Sequence, residues 1–357
     1  MVPEGDTIYR TATALRAALL GKPLIAFDAP RHRGLLPGPA AVIERVASHG
    51  KHIEIGFDDG VVLHTHMRMT GSWHLYRTGE HWRRSVEQAR VVLEVAGWKA
   101  VCFNAPVVEL YRSRDASRHP GLGSLGPDLI RVDADILDCV ARVERYCVEG
   151  TTVAELLLDQ RVACGVGNVF KSEVLWAVEL HPSTRVEALT IDQRYRLIDR
   201  AADMLRANAE RAERITVPGA PGGLAVYGRT GKPCLRCGAP VAVRRHGEQA
   251  RVTYFCPGCQ VLLGAPADVA PDPMPTAAPD APVAPVAPDR DVEPSSPPLD
   301  GHGRSASDGG RRLARWPSPA RPALPAVPAA PAVARSAPAP ARSRYVDPLL
   351  ARRAASQ

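Results

Sequence analysis

Four cysteines restrict the folds open to this chain more than any other residues do: CLRC at 234–237 and CPGC at 256–259, with 18 residues between the pairs. Two C-x2-C knuckles at this separation place four thiolates around one tetrahedral Zn2+, and a full thiolate set leaves no open position for catalysis. A redox role would need only one pair. The spacing therefore predicts one structural zinc on Cys234, Cys237, Cys256 and Cys259. Between the pairs, APVAVRR and ARVTYF read as the strands of a hairpin, which makes the module a zinc ribbon or finger. Such modules are common, and this one names no function by itself. The other cysteines, Cys102, Cys139, Cys147 and Cys164, stand alone in apolar surroundings and read as reduced core residues.

Beyond the module the composition changes. From Ala265 to Gln357 the sequence is dominated by proline, alanine and arginine, and 20 of the 34 prolines lie there. Such a segment buries too little apolar surface to offset about 1 to 2 kcal/mol of backbone entropy per residue, so 265–357 is expected to be disordered. The net charge of +7 divides unevenly: 265–300 carries 1 Arg against 7 acids, and 301–357 carries 10 Arg against 2 acids, leaving +5 on the body. The basic end suits either a salt-sensitive contact with nucleic acid or a solvated linker. No apolar run approaches the roughly 20 residues of a membrane span, and the first residues lack a basic-then-apolar signal pattern; a cytoplasmic protein is expected.

Along the body, TIYRTATALRAALLGK carries apolar residues at helical spacing and ends at Gly21 before Pro23, an amphipathic helix. Short β segments follow to about Arg112, among them AVIERVAS, HIEIGF, VVLHTHM, ARVVLEV and KAVCFN, which suggests a sandwich or barrel. After the polar link YRSRDASRHPGLGSLGPD come helical patterns: DADILDCVARVERYC, TTVAELLLDQ, NVFKSEVLWAVEL and LTIDQRYRLIDRAADMLRANAERAE. Within them, LLDQRVACGVGNVFKSEVLW places a glycine turn before a new helix. Asn168 reads as its N-cap, and glycines beside a helix N-terminus expose backbone N–H groups suited to a phosphate. An ordinary helix-to-helix connection fits the same residues.

Five motifs in register resemble the formamidopyrimidine-DNA glycosylase and endonuclease VIII family of bifunctional DNA glycosylases: PEGDT at 3–7, GK at 50–51, HMRMTGSW at 66–73, GVGN at 165–168, and VYGRTGKPC with RVTYFCPGCQ within 226–260. The resemblance covers about 3–262. It implies an α+β chain of several parts: a catalytic β-sandwich headed by a helix (1–125), a helix-two-turns-helix DNA-binding domain (126–222), a zinc finger (223–264) and the tail (265–357). It also implies damaged double-stranded DNA as partner, a monomer, and a bacterial, nucleoid-associated setting. Carried over by position, Pro3 is the nucleophile and Glu4 the acid and base at the sugar. Lys51 contacts the sugar-phosphate, and His66, Asn168 and Arg251 grip phosphates. Met69 fills the hole left by the extruded nucleotide, a step costing a few kcal/mol; spacing alone would make it a buried strand methionine. The loop RSRDASRH is basic and suited to intrusion, without a match in the family pattern. PEGDT, GSW and the short connector TVPGAPGGLAVYGR resemble the endonuclease VIII side, which takes oxidised pyrimidines; the alternative is a purine-lesion glycosylase.

The proline raises one difficulty. As printed, Pro3 follows Val2, and an acylated proline nitrogen has no nucleophilic lone pair. The expectation is that translation starts at the codon printed as Val2, since GTG can be read as Met, whose removal frees Pro3. Two alternatives stay open: Val2 supplies a primary amine displaced by up to ~3.5 Å, or the protein binds damaged DNA without cutting it.

Overall fold

The computed structural model describes residues 3–119, 121–246 and 250–264; the tail, and with it the expectation of disorder there, lies outside the described residues. Helix α1 (Gly5–Leu19) begins two residues earlier than its apolar pattern suggests and buries Ile8, Ala12, Leu15 and Leu19. These recur at helical spacing, so one stripe faces inward.

Eight strands follow: β1 (Ala26–Asp28), β2 (Ile43–His49), β3 (His52–Phe57), β4 (Val61–His66), β5 (Ser72–Arg77), β6 (Ala89–Val95), β7 (Trp98–Phe103) and β8 (Val107–Arg112). They form two four-stranded antiparallel sheets, ordered β1-β6-β7-β5 and β2-β3-β4-β8. The period of two is clean in β6, where Ala89, Val91, Leu93 and Val95 are buried and the residues between are half-buried. Ile43, Ile53, Ile55 and Leu63 of one sheet share a core with Val91, Leu93 and Cys102 of the other and with the α1 stripe, which makes this region a sandwich headed by a helix.

The helical region holds α2 (Ile136–Tyr146), α3 (Val153–Leu156), α4 (Asn168–Ala177) and α5 (Ile191–Asn208). Asp135 caps α2, and capping boxes Thr152/Glu155 and Thr190/Gln193 start α3 and α5. Helix α3 is a single turn, shorter than the TTVAELLLDQ pattern. Past it the Gln160 amide donates to the carbonyls of Leu158 and Val166 and accepts the Gly165 N–H, which folds the chain into a turn instead. Phe170, Leu175, Leu197 and Leu205 lie in the common core. The hairpin β9 (Ala242–His246) and β10 (Arg251–Phe255) pairs as the cysteine spacing required and lies against α4, with Val226 and Val241 packed beside Trp176 and Tyr254. Cys102, Cys139 and Cys164 are buried thiols; Cys147 is only half-buried, a departure from its expected core position. Among the described residues, no helix is long and apolar enough to cross a membrane.

Candidate active site

The seven residues assigned to catalysis and DNA contact come from five separate segments, and all seven line one cavity of about 720 Å³. Pro3 and Glu4 lead into α1, Lys51 sits in the turn between β2 and β3, and His66 ends β4 with Met69 in the turn after it. Asn168 opens α4, and Arg251 opens β10.

Glu4 is buried, 1% exposed. Its carboxylate accepts the backbone N–H groups of Gly167 (2.9 Å), Val169 (2.7 Å) and Phe170 (3.2 Å), so a side chain from the head of α1 caps the N-terminus of α4. This corrects the expectation for the glycine turn. Gly167, not Asn168, is the N-cap residue, and Asn168 is the first helical residue. Three N–H groups expected to face a phosphate are already bonded to a carboxylate, which the helix dipole favours at that end. Gly167 is required by this contact, since a Cβ there would lie 2.4 Å from the Glu4 carboxyl carbon. Gly5 and Gly165 meet in the same way: the Gly5 N–H donates to the Gly165 carbonyl at 2.9 Å, and a Cβ on Gly5 would fall 2.9 Å from the Gly165 Cα.

Lys51 follows Gly50, whose φ of +56° and N–H bond to the Asp128 carboxylate at 2.9 Å fix the turn. Burial lowers the Lys51 ammonium from its ordinary 10.5 to about 8; Glu4 pulls it up and Arg251 pushes it down. His66 is lowered to about 4, by burial first and then by Lys51. The Arg68 N–H donates to His66 Nδ1 at 3.2 Å, so the neutral ring carries its proton on Nε2.

Met69 is 71% exposed, while Met67 is the buried methionine of this turn at 2%. A buried strand position for Met69 is thereby excluded. Asn168 Oδ1 accepts from the Lys171 ammonium at 2.6 Å, and that ammonium also donates to the Val252 carbonyl of β10 at 3.1 Å. Burial lowers Lys171 to about 7, with Arg251 adding to the effect.

Several members of the site escaped sequence reasoning. Lys171 reads as an ordinary exposed helix lysine, yet it is fully buried, with the hairpin lying against α4 and accepting its ammonium at the Val252 carbonyl. Glu173 is also buried and accepts N–H bonds from Ala225 (2.7 Å), Val226 (2.9 Å) and Tyr227 (2.8 Å), and the Thr216 hydroxyl. It thereby fixes the connector that brings Tyr227 to the cavity wall. Arg68 and Gln160 line the cavity too, and among the described residues of the 112–119 loop none does. Lys51, Arg68 and Arg251 stand against the single acid Glu4 among the lining residues, so the cavity suits a polyanion.

The cysteine cluster fits a tetrahedral metal ion. The Sγ atoms of Cys234 and Cys259 are 3.8 Å apart and those of Cys237 and Cys256 3.4 Å, with all four within 4.8 Å of one another. Thiolates about 2.3 Å from a tetrahedral zinc would be about 3.8 Å apart. The Trp176 indole N–H and the Arg236 backbone N–H both donate to Cys234 Sγ, at 3.3 and 3.4 Å, the outer bonds that orient a ligand sulfur. These four residues can hold a metal ion.

Comparison with known proteins bears on what the cavity is for. Residues 2–106 match the formamidopyrimidine-DNA glycosylase N-terminal domain, and residues 125–217 match the formamidopyrimidine-DNA glycosylase H2TH domain. The chain is 39% identical over 268 residues to the DNA-(apurinic or apyrimidinic site) lyase Nei2 of Mycolicibacterium smegmatis, covering 72% of this chain and 99% of that one. It is 36% identical over 264 residues to a probable endonuclease 8 2 of Streptomyces coelicolor, covering 72% and 94%. The structure of Lactococcus lactis Fpg in complex with DNA containing a modified Fapy-dG superposes with a TM-score of 0.60 at 22% identity, over 72% of this chain and 99% of that one, which establishes the shared fold.

Proposed function

Belonging as it does to the formamidopyrimidine-DNA glycosylase and endonuclease VIII family, the chain is, we infer, a base-excision DNA glycosylase and AP lyase that acts on oxidised pyrimidines in duplex DNA. One observation carries the assignment of residues: seven side chains from five distant segments line a single cation-rich cavity.

Pro3, with its nitrogen free of Val2, attacks C1′ of the damaged nucleoside. The C1′–N bond breaks and the base leaves with the bonding electron pair, protonated on its way out. The nitrogen loses its one proton, its lone pair then forms the C=N bond as the C1′–O4′ bond breaks, and O4′ leaves with that bonding pair and takes up a proton. The open-chain adduct is a cationic iminium because a secondary amine has no second proton to lose, and it acidifies C2′ so that β- and then δ-elimination expel the flanking phosphates. Glu4 lies beside the nucleophile. A carboxylate offers about four lone-pair sites, and three accept from α4, which leaves one to move a proton at the sugar. Lys51 grips the sugar-phosphate, His66 donates from Nε2 to a phosphate oxygen, and Asn168 and Arg251 hold the strand from the helical and hairpin sides. Exposed Met69 occupies the space of the rotated nucleotide. Zn2+ on the four cysteines serves structure, holding the hairpin that presents Arg251.

Borohydride trapping tests the reading. A duplex carrying an oxidised pyrimidine is expected to give a covalent adduct whose peptide map ends at Pro3, more rapidly than one carrying 8-oxoguanine. Retarded but unlinked DNA would show a binder of damaged DNA, and an adduct on Val2 would show the displaced amine at work.

A further inference from the structure

The outer face of the sheet β2-β3-β4-β8 carries a row of polar groups that the excision chemistry leaves unused. Alternation places His52 of β3, His64 of β4 and Glu109 of β8 on this face, since Ile53, Leu63 and Leu110 face the core. His64 is paired directly across from Glu109. The segment after β8 then folds back through the short 3-10 turn Ser113–Arg118 and sets His119 beside them.

We propose that His64, Glu109 and His119 form a second metal site, taking a divalent transition ion of borderline softness such as Zn2+. Glu109 Oε2 lies 2.9 Å from His64 Nδ1 and 3.0 Å from His119 Nε2, and the three ligand atoms fall within 4.8 Å of one another. Ligand bonds of about 2.1 Å to a tetrahedral ion would put neighbouring donors about 3.4 Å apart, so the Glu109 oxygen has to draw back from each ring by roughly half an ångström, a shift within reach of a half-exposed side chain. Two imidazoles with one carboxylate select zinc, nickel or iron over magnesium and calcium, which prefer all-oxygen sets.

The groups around the cluster are those a ligand histidine needs. The far nitrogen of His64, Nε2, is 2.8 Å from His52 Nδ1, and a ring that binds metal through Nδ1 donates its Nε2–H to such an acceptor. His64 is fully buried, whereas Glu109 is about half exposed, so the ring is held while the mouth of the site stays open to water and to an incoming ion. The His119 ring stands edge-on to His64 with centroids 5.2 Å apart and lies 5.1 Å from the Tyr111 ring, which limits its rotation. One bond is lost on loading: His119 Nδ1 now accepts the Gly121 N–H at 3.2 Å, and ligation through Nε2 moves the ring proton to Nδ1. That bond is exposed, so water replaces it. Without an ion the same distances describe two ring N–H groups donating to one carboxylate oxygen, and metal content separates the two states.

The test uses the full-length protein already carrying zinc on its cysteines, dialysed to constant metal content and then equilibrated with ZnCl2 alone before mass-spectrometric metal analysis. Wild type is expected to rise from one equivalent to two. His119→Ala and Glu109→Ala should stay at one, and His81→Ala, an exposed histidine elsewhere, should reach two. Circular dichroism confirms that each variant is folded, and if one is not, the other decides. Melting of the wild type should move up with added zinc by more than that of His119→Ala. Wild type remaining at one equivalent, or either folded variant still reaching two, overturns the proposal. Neither result bears on excision, which borohydride trapping reads separately.

Discussion

Glu4 should matter as much to the stability of this protein as to its chemistry. Its carboxylate satisfies three backbone N–H groups of another helix from a fully buried position. Leaving one buried donor unpaired costs about 1 to 3 kcal/mol. In Glu4→Gln, an amide oxygen at the Oε2 position keeps the bonds from Gly167 and Phe170, but the amide nitrogen then faces the Val169 N–H. One bond is lost and two donors oppose each other, for an expected loss of about 2 kcal/mol. Glu4→Ala removes all three bonds, and because the cavity beside them admits water the loss should fall near 4 kcal/mol rather than at the full sum. Urea unfolding with an unchanged m-value measures both, as a graded fall of the midpoint from wild type to Gln to Ala. Midpoints for the two variants that coincide with wild type would refute the capping role and return the α4 N–H groups to a phosphate. If the fall is seen, lost trapping in Glu4→Gln reports acid–base chemistry only at denaturant-free stability, where the variant is still folded.

Lys51 predicts a pH step in DNA affinity. Its folded value of about 8 rises when a phosphate approaches, so binding takes up a proton above that pH, and affinity should fall about tenfold per unit from pH 8 upward in fluorescence anisotropy. Lys51→Arg should remove the step; a step that persists assigns it elsewhere. In the free protein the sign is opposite: between about 8 and 10.5 the unfolded chain holds more of this proton, so the Lys51 contribution to stability rises with pH. Met69→Ala should leave the melting temperature within a degree or two, since the side chain is exposed, while weakening binding to a lesion duplex about tenfold and to undamaged duplex hardly at all. Cys256→Ser, or zinc removal by a chelator, should abolish DNA binding and unfold the hairpin while the β-sandwich melts as before, seen in calorimetry as a sandwich transition at unchanged temperature with a smaller total unfolding enthalpy.

What could be read from the sequence, and what could not, divides by range. The seven proposed site residues could be picked out because their short motifs resemble those of a known family, and the structure brings all seven to one cavity; local pattern alone would leave Lys51 an exposed lysine and Met69 a buried methionine. The β alternation and the cysteine spacing gave the sandwich and the hairpin for local reasons. The destination of the Glu4 carboxylate was not legible, because its partners are 163 to 166 residues away. Lys171 and Glu173 look like the solvent face of α4 until the hairpin and its connector cover them. The histidines of the outer sheet face did leave a signal, in the spacing of His64 and His66, but alternation shows only a shared face. It does not show that Glu109 and His119 are brought to it.

Helix α4 explains why these parts act as one site. Ten residues long, it is buried continuously from Val169 to Leu175, and its successive positions each tie down a different segment. Its first turn holds the head of α1 through Glu4. Lys171 bonds a carbonyl of β10, and the Ser172 hydroxyl accepts the Tyr254 N–H of the same strand at 3.3 Å. Glu173 gathers the 216–227 connector, and Trp176 reaches the Cys234 sulfur. A helix packed on one side would show a polar stripe to water. This one buries a lysine and a glutamate instead, and each is tolerable only because its charge is met by oriented carbonyl or N–H groups. The position of Arg251 relative to Pro3 therefore depends on no flexible linker: it runs from Glu4 into α4 and from α4 into the hairpin, through hydrogen bonds of 3.3 Å or less.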